Sequence, residues 1–188
     1  MQYELISESH SHRIIALSDT EVGKIPPITT FVFINVATGK ECSELNFKMD
    51  IDLEIKRLVF ANAINDLMVR FIRKDKFEDN TDMLVMERLY PIKYHSISKK
   101  ERILVFEKFE EQIFELHING FLHGDIQHPM RAEAEILFDN IILTKDGLRL
   151  IDTGFSLIKK EEPNKDKYRN LMRQEILEFL NFKEFFLS

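Results

Sequence analysis

Three side chains in the second half of the chain offer hard oxygen atoms in an ordered series. Asp125 stands in Phe121-Leu122-His123-Gly124-Asp125-Ile126, Asn140 in Asp139-Asn140-Ile141-Ile142-Leu143, and Asp152 in Leu150-Ile151-Asp152-Thr153-Gly154. Two carboxylates and an amide oxygen suit a hard cation. Magnesium is usually held by one or two protein carboxylates, with phosphate oxygens of a substrate completing its shell. The chemistry within reach of such a set is the binding of a hard cation that carries phosphate oxygens. The spacing also predicts how the three meet. Strands over Ile141–Thr144 and Leu148–Ile151 flank the turn Lys145-Asp146-Gly147, whose glycine can supply a positive φ. Asn140 enters the first strand and Asp152 leaves the second, so both stand at one end of the hairpin. Asp125, closing the preceding loop, reaches the same space.

Regular elements must deliver these loops. Ser98 with Glu101 forms a capping-box pattern that opens a long helix to about Asn119. Ile103, Phe106, Phe109, Ile113 and Leu116 form its core stripe, and Gly120 is its stop. That helix hands the chain to His123-Gly124-Asp125. On it His117 reads as a packed or surface imidazole, and His123 as a brace of the loop through a backbone hydrogen bond. Nearer the N-terminus, Tyr3–Ile6, Arg13–Leu17 and Val22–Ile25 read as strands, the third broken by Pro26-Pro27. Thr29–Val36 adds a strand or hairpin ending at Ala37-Thr38-Gly39-Lys40. A helix is expected over Asp50–Asn65, with the stripe Leu53, Leu58, Ala61 and Ile64 widened by Ile55, Val59 and Ala63. Leu67–Ile72 and Met83–Met86 read as two more strands, joined by the polar loop Arg73–Thr81.

Together these motifs resemble the catalytic core of the protein-kinase-like superfamily: a His-x-Asp loop, an Asn opening a strand, and an Asp-x-Gly metal motif. The resemblance implies that Asp125 is the base orienting the accepting hydroxyl, that Asn140 binds a second metal and that Asp152 binds the bridging metal. Lys24, in Val22-Gly23-Lys24-Ile25, is similar to the strand lysine that holds the α- and β-phosphates; a solvated strand-end lysine is the plain alternative. Glu54 resembles the helix glutamate that pairs with that lysine, with Glu44 as its rival and a surface role also open. Leu84-Val85-Met86-Glu87-Arg88-Leu89 is similar to the hinge between kinase lobes. Met86 takes the gatekeeper place, and the backbones of Glu87 and Leu89 meet the adenine edge. The implied cofactors are ATP and Mg2+.

The implied fold class is α+β: a minimal two-lobed protein-kinase-like fold with a reduced C-lobe, no activation segment, and the nucleotide between lobes. Residues 1–89 form the N-lobe, a sheet plus one helix with the hinge at 86–89. Residues 90–188 form a helical C-lobe with the catalytic loop and metal hairpin. Several features depart from the common pattern. His-Gly-Asp replaces His-Arg-Asp, a form familiar from small-molecule kinases and from minimal atypical kinases, among them secreted bacterial effectors and the kinase of a tRNA-modification complex. The loop Ser7–His12, where the nucleotide-covering loop belongs, contains no glycine. Asn140 stands fifteen residues beyond Asp125, where the family pattern has five. The extra segment Gln127–Glu135 carries helix formers after Pro129, and Met130–Phe138 is expected on the acceptor side of Asp125. After Gly154 only residues 155–188 remain, without an Ala-Pro-Glu anchor. Asp166 resembles the helix aspartate that caps the catalytic-loop backbone, with a simple N-cap or solvated role equally open. The tail Phe179–Leu187 carries four phenylalanines, which either pack on the chain's own long helix or dock a partner.

Bulk properties narrow the function classes. With 188 residues, 44% apolar and 31% charged, the chain has ordinary globular composition and enough apolar surface for a core. A net charge of −6 with no basic run disfavours a nucleic-acid backbone as partner. Cys42 is the only cysteine, so no intramolecular disulfide forms. No apolar run is long enough for a membrane span, and no leader-like start is present. The expectation is a cytoplasmic protein, although leaderless export as an effector leaves no mark in sequence. The leading function is ATP-Mg-dependent phosphoryl transfer or ATP hydrolysis with a protein partner or substrate. A pseudokinase interaction module and a small-molecule kinase are the alternatives. The oligomeric state is open.

Overall fold

The structure, a computed structural model, describes the backbone of residues 3–8, 12–26, 29–34, 41–47, 50–78, 80–129 and 136–188. The chain divides into two compact units, one of residues 1–55 and 71–88, the other of residues 56–70 and 89–188.

The first unit is built on a five-stranded antiparallel sheet. Its strands are β1 (Glu4–Glu8), β2 (Arg13–Ala16), β3 (Glu21–Ile25), β6 (Phe71–Lys76) and β7 (Asp82–Glu87), in the order β1-β2-β3-β7-β6. A separate hairpin, β4 (Thr29–Ile34) with β5 (Glu41–Phe47), follows β3. The connecting Ala37-Thr38-Gly39-Lys40 lies outside the described residues. Ile15, Ile25, Met83 and Val85 form the core on one face of the sheet, flanked by Tyr3, Leu17, Ile72 and Phe77. Helix α1 (Ile51–Asn62) opens at Asp50, whose Oδ1 accepts from the Leu53 amide at 3.0 Å. That bond satisfies one of the donors orphaned at a helix start. The residues of α1 from Lys56 onward belong to the second unit.

Two expectations need correction here. The apolar stripe of α1 is not centred where the sequence suggests: Leu53 and Val59 are exposed, and the buried positions are Ile51, Glu54, Leu58 and Ala61. The strand expected at Leu67–Ile72 lies four residues later, at Phe71–Lys76. Leu67, Met68 and Val69 are buried instead in the second unit, where the Val69 amide donates to Leu150 O at 2.8 Å and Leu150 N donates to Leu67 O at 2.9 Å. The most apolar residues thus go to a buried crossing. Charged Arg73, Lys74 and Lys76 take the edge strand, where they pair with Glu21, Asp52 and Asp82. Charges on an edge also discourage a foreign strand from pairing there.

The second unit rests on two long helices. Helix α2 (Lys99–Ile118) carries the complete Ser98–Glu101 capping box and ends at Gly120, with φ +85°. It buries Phe106, Phe109, Ile113, Leu116 and His117, while Ile103 stays exposed. Helix α3 (Lys165–Leu187) opens at the N-cap Asn164. It packs Phe179, Phe182 and Phe186 onto α2 and its surroundings. Phe106 and Phe179 centroids lie 5.1 Å apart, and Tyr94 meets Phe186 edge-on at 5.3 Å. The tail therefore packs on the chain's own long helix at three of its four phenylalanines. Phe185 is half exposed.

Short strands complete this unit: β8 (Phe121–Leu122), β9 (His128–Pro129), β10 (Ile136–Leu137), β11 (Ile141–Thr144), β12 (Gly147–Leu150) and β13 (Leu157–Ile158). β11 and β12 form the expected hairpin, with Thr144 opposite Gly147 at φ +121°. Its second strand runs over Gly147–Leu150, one residue earlier than the pattern suggested. β8 pairs with β13, so the chain runs from Gly154 through β13 into α3 with no activation segment between them. The helix expected after Asp125 fails at its described ends. His128 and Pro129 pair as a strand with Leu137 and Ile136, and residues 130–135 lie outside the described residues.

Candidate active site

The expected phosphate-holding pair forms in the first unit. β3 is hydrogen-bonded on both sides, with Lys24 opposite Ile14 on β2 and Leu84 on β7. A central strand buries both faces, and Lys24 is 2% exposed. Its Nζ lies 2.6 Å from Oε1 of Glu54, which is equally buried. Glu54 is one turn into α1, where its amide donates to Asp50 O. Taking two charges out of water costs several kcal/mol per ion, and aliphatic residues of the same size are often as stable in such a place. The pair is therefore poorly explained by stability alone. The rival Glu44 lies in β5, whose side chains are outside the described residues.

Of the residues expected at a hinge, Met86 and Glu87 end β7. Met86 is buried opposite Val22, and Glu87 stands opposite Glu21. Leu89 is the first residue of its stretch in the second unit. Of the expected nucleotide loop, Ser7 and Glu8 belong to β1, paired with Ile14 and Arg13, and residues 9–11 are outside the described residues.

In the second unit Asn140 is hydrogen-bonded to Asp125, and Ile151, the residue before Asp152, is hydrogen-bonded to Asn140. Asn140 Nδ2 donates to the Asp125 backbone oxygen at 2.7 Å and to Asp125 Oδ2 at 3.1 Å. Engaging the nitrogen this way turns the amide oxygen, a hard donor, away from Asp125. Ile151 N donates to Asn140 O at 3.0 Å, and Asp152 follows directly. Asp152 has φ +64°, a left-handed conformation uncommon outside glycine, and its Oδ1 accepts from Gly154 N at 2.9 Å. The long interval after Asp125 thus does not displace Asn140: the chain leaves at β9, returns at β10 and places the amide against Asp125.

The loop around Asp125 is held from below. His123 Nε2 meets Ile151 O at 2.8 Å, the backbone brace expected of it, and Ser156 Oγ donates to His123 O at 2.9 Å. Gly124 has φ +78°, and a Cβ there would lie 2.6 Å from Phe155 O.

Asp166 does not cap this loop. It is an exposed first-turn residue of α3 that pairs with Arg169. The carboxylate that reaches the loop is Glu175, 1% exposed. It accepts from His123 N at 3.1 Å and Gly124 N at 2.5 Å, and meets His117 Nε2 at 2.7 Å. Its position carried a readable signal. Tyr168, Glu175, Phe179, Phe182 and Phe186 share one face of α3, so Glu175 is a carboxylate on an apolar stripe. Burial raises the pKa of the neighbouring Glu178, assisted by the charges of Glu175 and Asp125 and opposed by hydrogen bonds from Gln174 and the Ile126 amide.

No family model matches the chain, and no curated protein matches it. Among solved structures, the kinase PK-1 of Cydia pomonella granulovirus is similar to it with a TM-score of 0.50 and 17% identity, over 83% of this chain and 52% of that one. The chain has a kinase-like fold. It spans about half the length of that viral kinase. At this identity the likeness establishes the fold, and the residues must speak for the chemistry. The donor set fits a hard cation completed by substrate phosphate: Asp152 offers a carboxylate and Asn140 an amide oxygen. Among the described residues no cluster of three or more His, Cys, Asp or Glu side chains forms a metal site by itself. No helix among them is long and apolar enough to cross a membrane.

Proposed function

We propose that the chain binds ATP with Mg2+ and transfers its terminal phosphoryl group, to a protein acceptor or to water. The observation that carries this reading is the buried Lys24–Glu54 pair in a kinase-like fold. Glu54 holds the ammonium charged and in place, so that it meets phosphate oxygens without first ordering a flexible side chain. Met86, Glu87 and Leu89 receive the adenine. Asp152 and Asn140 hold the metal, which supplies neutralisation of charge on the β- and γ-phosphates. Asp125, fixed by Asn140 from one side and by the Glu175-held loop from the other, accepts the hydrogen of the attacking hydroxyl and aims its oxygen at phosphorus. Catalysis of this kind is mostly positioning and electrostatic stabilisation. With no activation segment between β13 and α3, the surface that recognises an acceptor belongs to a protein partner in this reading.

Phosphorus NMR of ATP incubated with the protein and Mg2+ tests it. Release or transfer of phosphate is expected from the wild type and a loss of at least about a hundredfold from Asp125→Asn. Equal rates in both would remove Asp125 from the reaction. A second reading, an interaction module that keeps the fold without turnover, is favoured by β1 continuing through Ser7 and Glu8, where the glycine-free covering loop was expected to begin. ATP binding with no phosphorus product would select it.

A further inference from the structure

The half of α1 that follows Glu54 is fastened to the segment that follows Asp152. Arg57 Nη1 donates to the Gly154 carbonyl at 2.6 Å and to the Thr153 carbonyl at 3.2 Å. One residue earlier Lys56 meets Glu161 at 2.9 Å, and one turn later the Lys160 ammonium stands 5.1 Å from the Phe60 ring centre. These three contacts are not equal. Lys56 is more than half exposed, and an exposed ion pair contributes little. Arg57 is half-buried and makes charge-assisted bonds to two successive carbonyls, which are about twice as strong as neutral ones.

We propose that Arg57 is a positioning residue for Asp152, holding the Thr153–Gly154 peptides so that the Asp152 carboxylate keeps its aim. The turn it grips needs holding. Asp152 sits at φ +64°, a conformation that persists only where its surroundings over-determine it. Within the turn, Gly154 N donates to Asp152 Oδ1 and Ser156 N donates to Thr153 O at 3.1 Å. Rotation of the peptide after Thr153 would withdraw the Gly154 amide from the carboxylate and release it. The guanidinium fixes the carbonyls on both sides of that glycine. The part of α1 that belongs to the second unit therefore steadies the carboxylate assigned to the metal. The inference deepens the phosphotransfer reading and rests on it for the role of Asp152.

Amide hydrogen exchange on the full chain tests the grip without any ligand, and a magnesium titration of ATP binding tests its purpose. In Arg57→Met the Gly154 and Ser156 amides should exchange about tenfold faster or more, while Phe106 and Phe109 in α2 keep their wild-type rates. Arg57→Gln, which retains a neutral donor, should fall between and stands in if the methionine variant does not fold. The Mg2+ concentration needed for half-maximal ATP binding should rise at least about fivefold, with metal-free ATP affinity unchanged. Wild-type exchange at Gly154 and Ser156 in either folded variant overturns the proposal, as does acceleration spread evenly over α2, which would make Arg57 a general stabiliser. An unchanged Mg2+ requirement overturns the positioning role. Failure of the wild type to bind ATP at all sinks the phosphotransfer reading instead, and the exchange result then still decides whether Arg57 holds the turn.

Discussion

Gly124 shows how a departure from a familiar motif can be a packing requirement. Its positive φ and the Phe155 carbonyl 2.6 Å from the missing Cβ leave no room for any side chain, so the arginine common in this motif would not fit here. Gly124→Ala should cost about 1–3 kcal/mol, read as a lowered midpoint in urea unfolding. Lys24 and Glu54 give a sharper test. Lys24→Met alone takes the ammonium away from a buried carboxylate and should cost about 3–5 kcal/mol. Adding Glu54→Leu should restore most of that stability while nucleotide binding stays lost. If the single variant loses nothing in stability, the pair is not buried as described. Glu178 supplies a pH test. Burial holds its pKa above the usual carboxylate range, so the folded state favours the protonated acid. Its contribution is fully present below the ordinary glutamate pKa and is lost as pH rises through the raised value. Glu178→Gln should therefore raise the thermal midpoint at pH 7 and leave it unchanged near pH 3. The same gain at both pH values would remove the carboxylate's charge as the cause.

At the scale of elements, the helices were legible because their signals are local. The Ser98–Glu101 box, Gly120 and the aromatic stripe of α2 depend on residues within a few turns of each other. What misled was polarity on a buried face. Glu54 and Glu175 occupy core positions of α1 and α3, so a stripe drawn through apolar residues alone drifts off centre or passes over the functional carboxylate. β6 lies later than the apolar residues suggest for a related reason. Leu67, Met68 and Val69 are the apolar candidates, but their partner is Leu150, far away in sequence, and no local pattern carries that information. The hairpin β11–β12 was readable from its turn, and with it the placement of Asn140 and Asp152 at one end of it. Glu175 at Gly124 was not, because it requires knowing how α3 lies under the loop. The tail makes its own prediction. Phe182→Ala should cost about 3–5 kcal/mol, since the ring is wholly buried among Phe106, Phe109, Phe138 and Phe186. Phe185→Ser should cost less than half as much, and the two unfolding midpoints read together decide whether α3 is core.

At the scale of the whole molecule, the kinase-like fold persists at 17% identity to a viral kinase of about twice the length. The sheet supplies a central strand for Lys24; in the second unit Asn140 is bonded to Asp125 and Ile151, next to Asp152, is bonded to Asn140, while Glu175 of α3 holds the loop before Asp125. The central proposal is that Mg2+ held by Asp152 strengthens nucleotide binding. Calorimetric titration of ATP, with and without Mg2+, into the wild type and Asp152→Ala examines this most directly. Metal-enhanced binding is expected in the wild type, with the enhancement abolished and the thermal midpoint little changed in Asp152→Ala. Wild-type binding of equal strength with and without Mg2+, or a variant that keeps the full metal enhancement, would contradict that proposal.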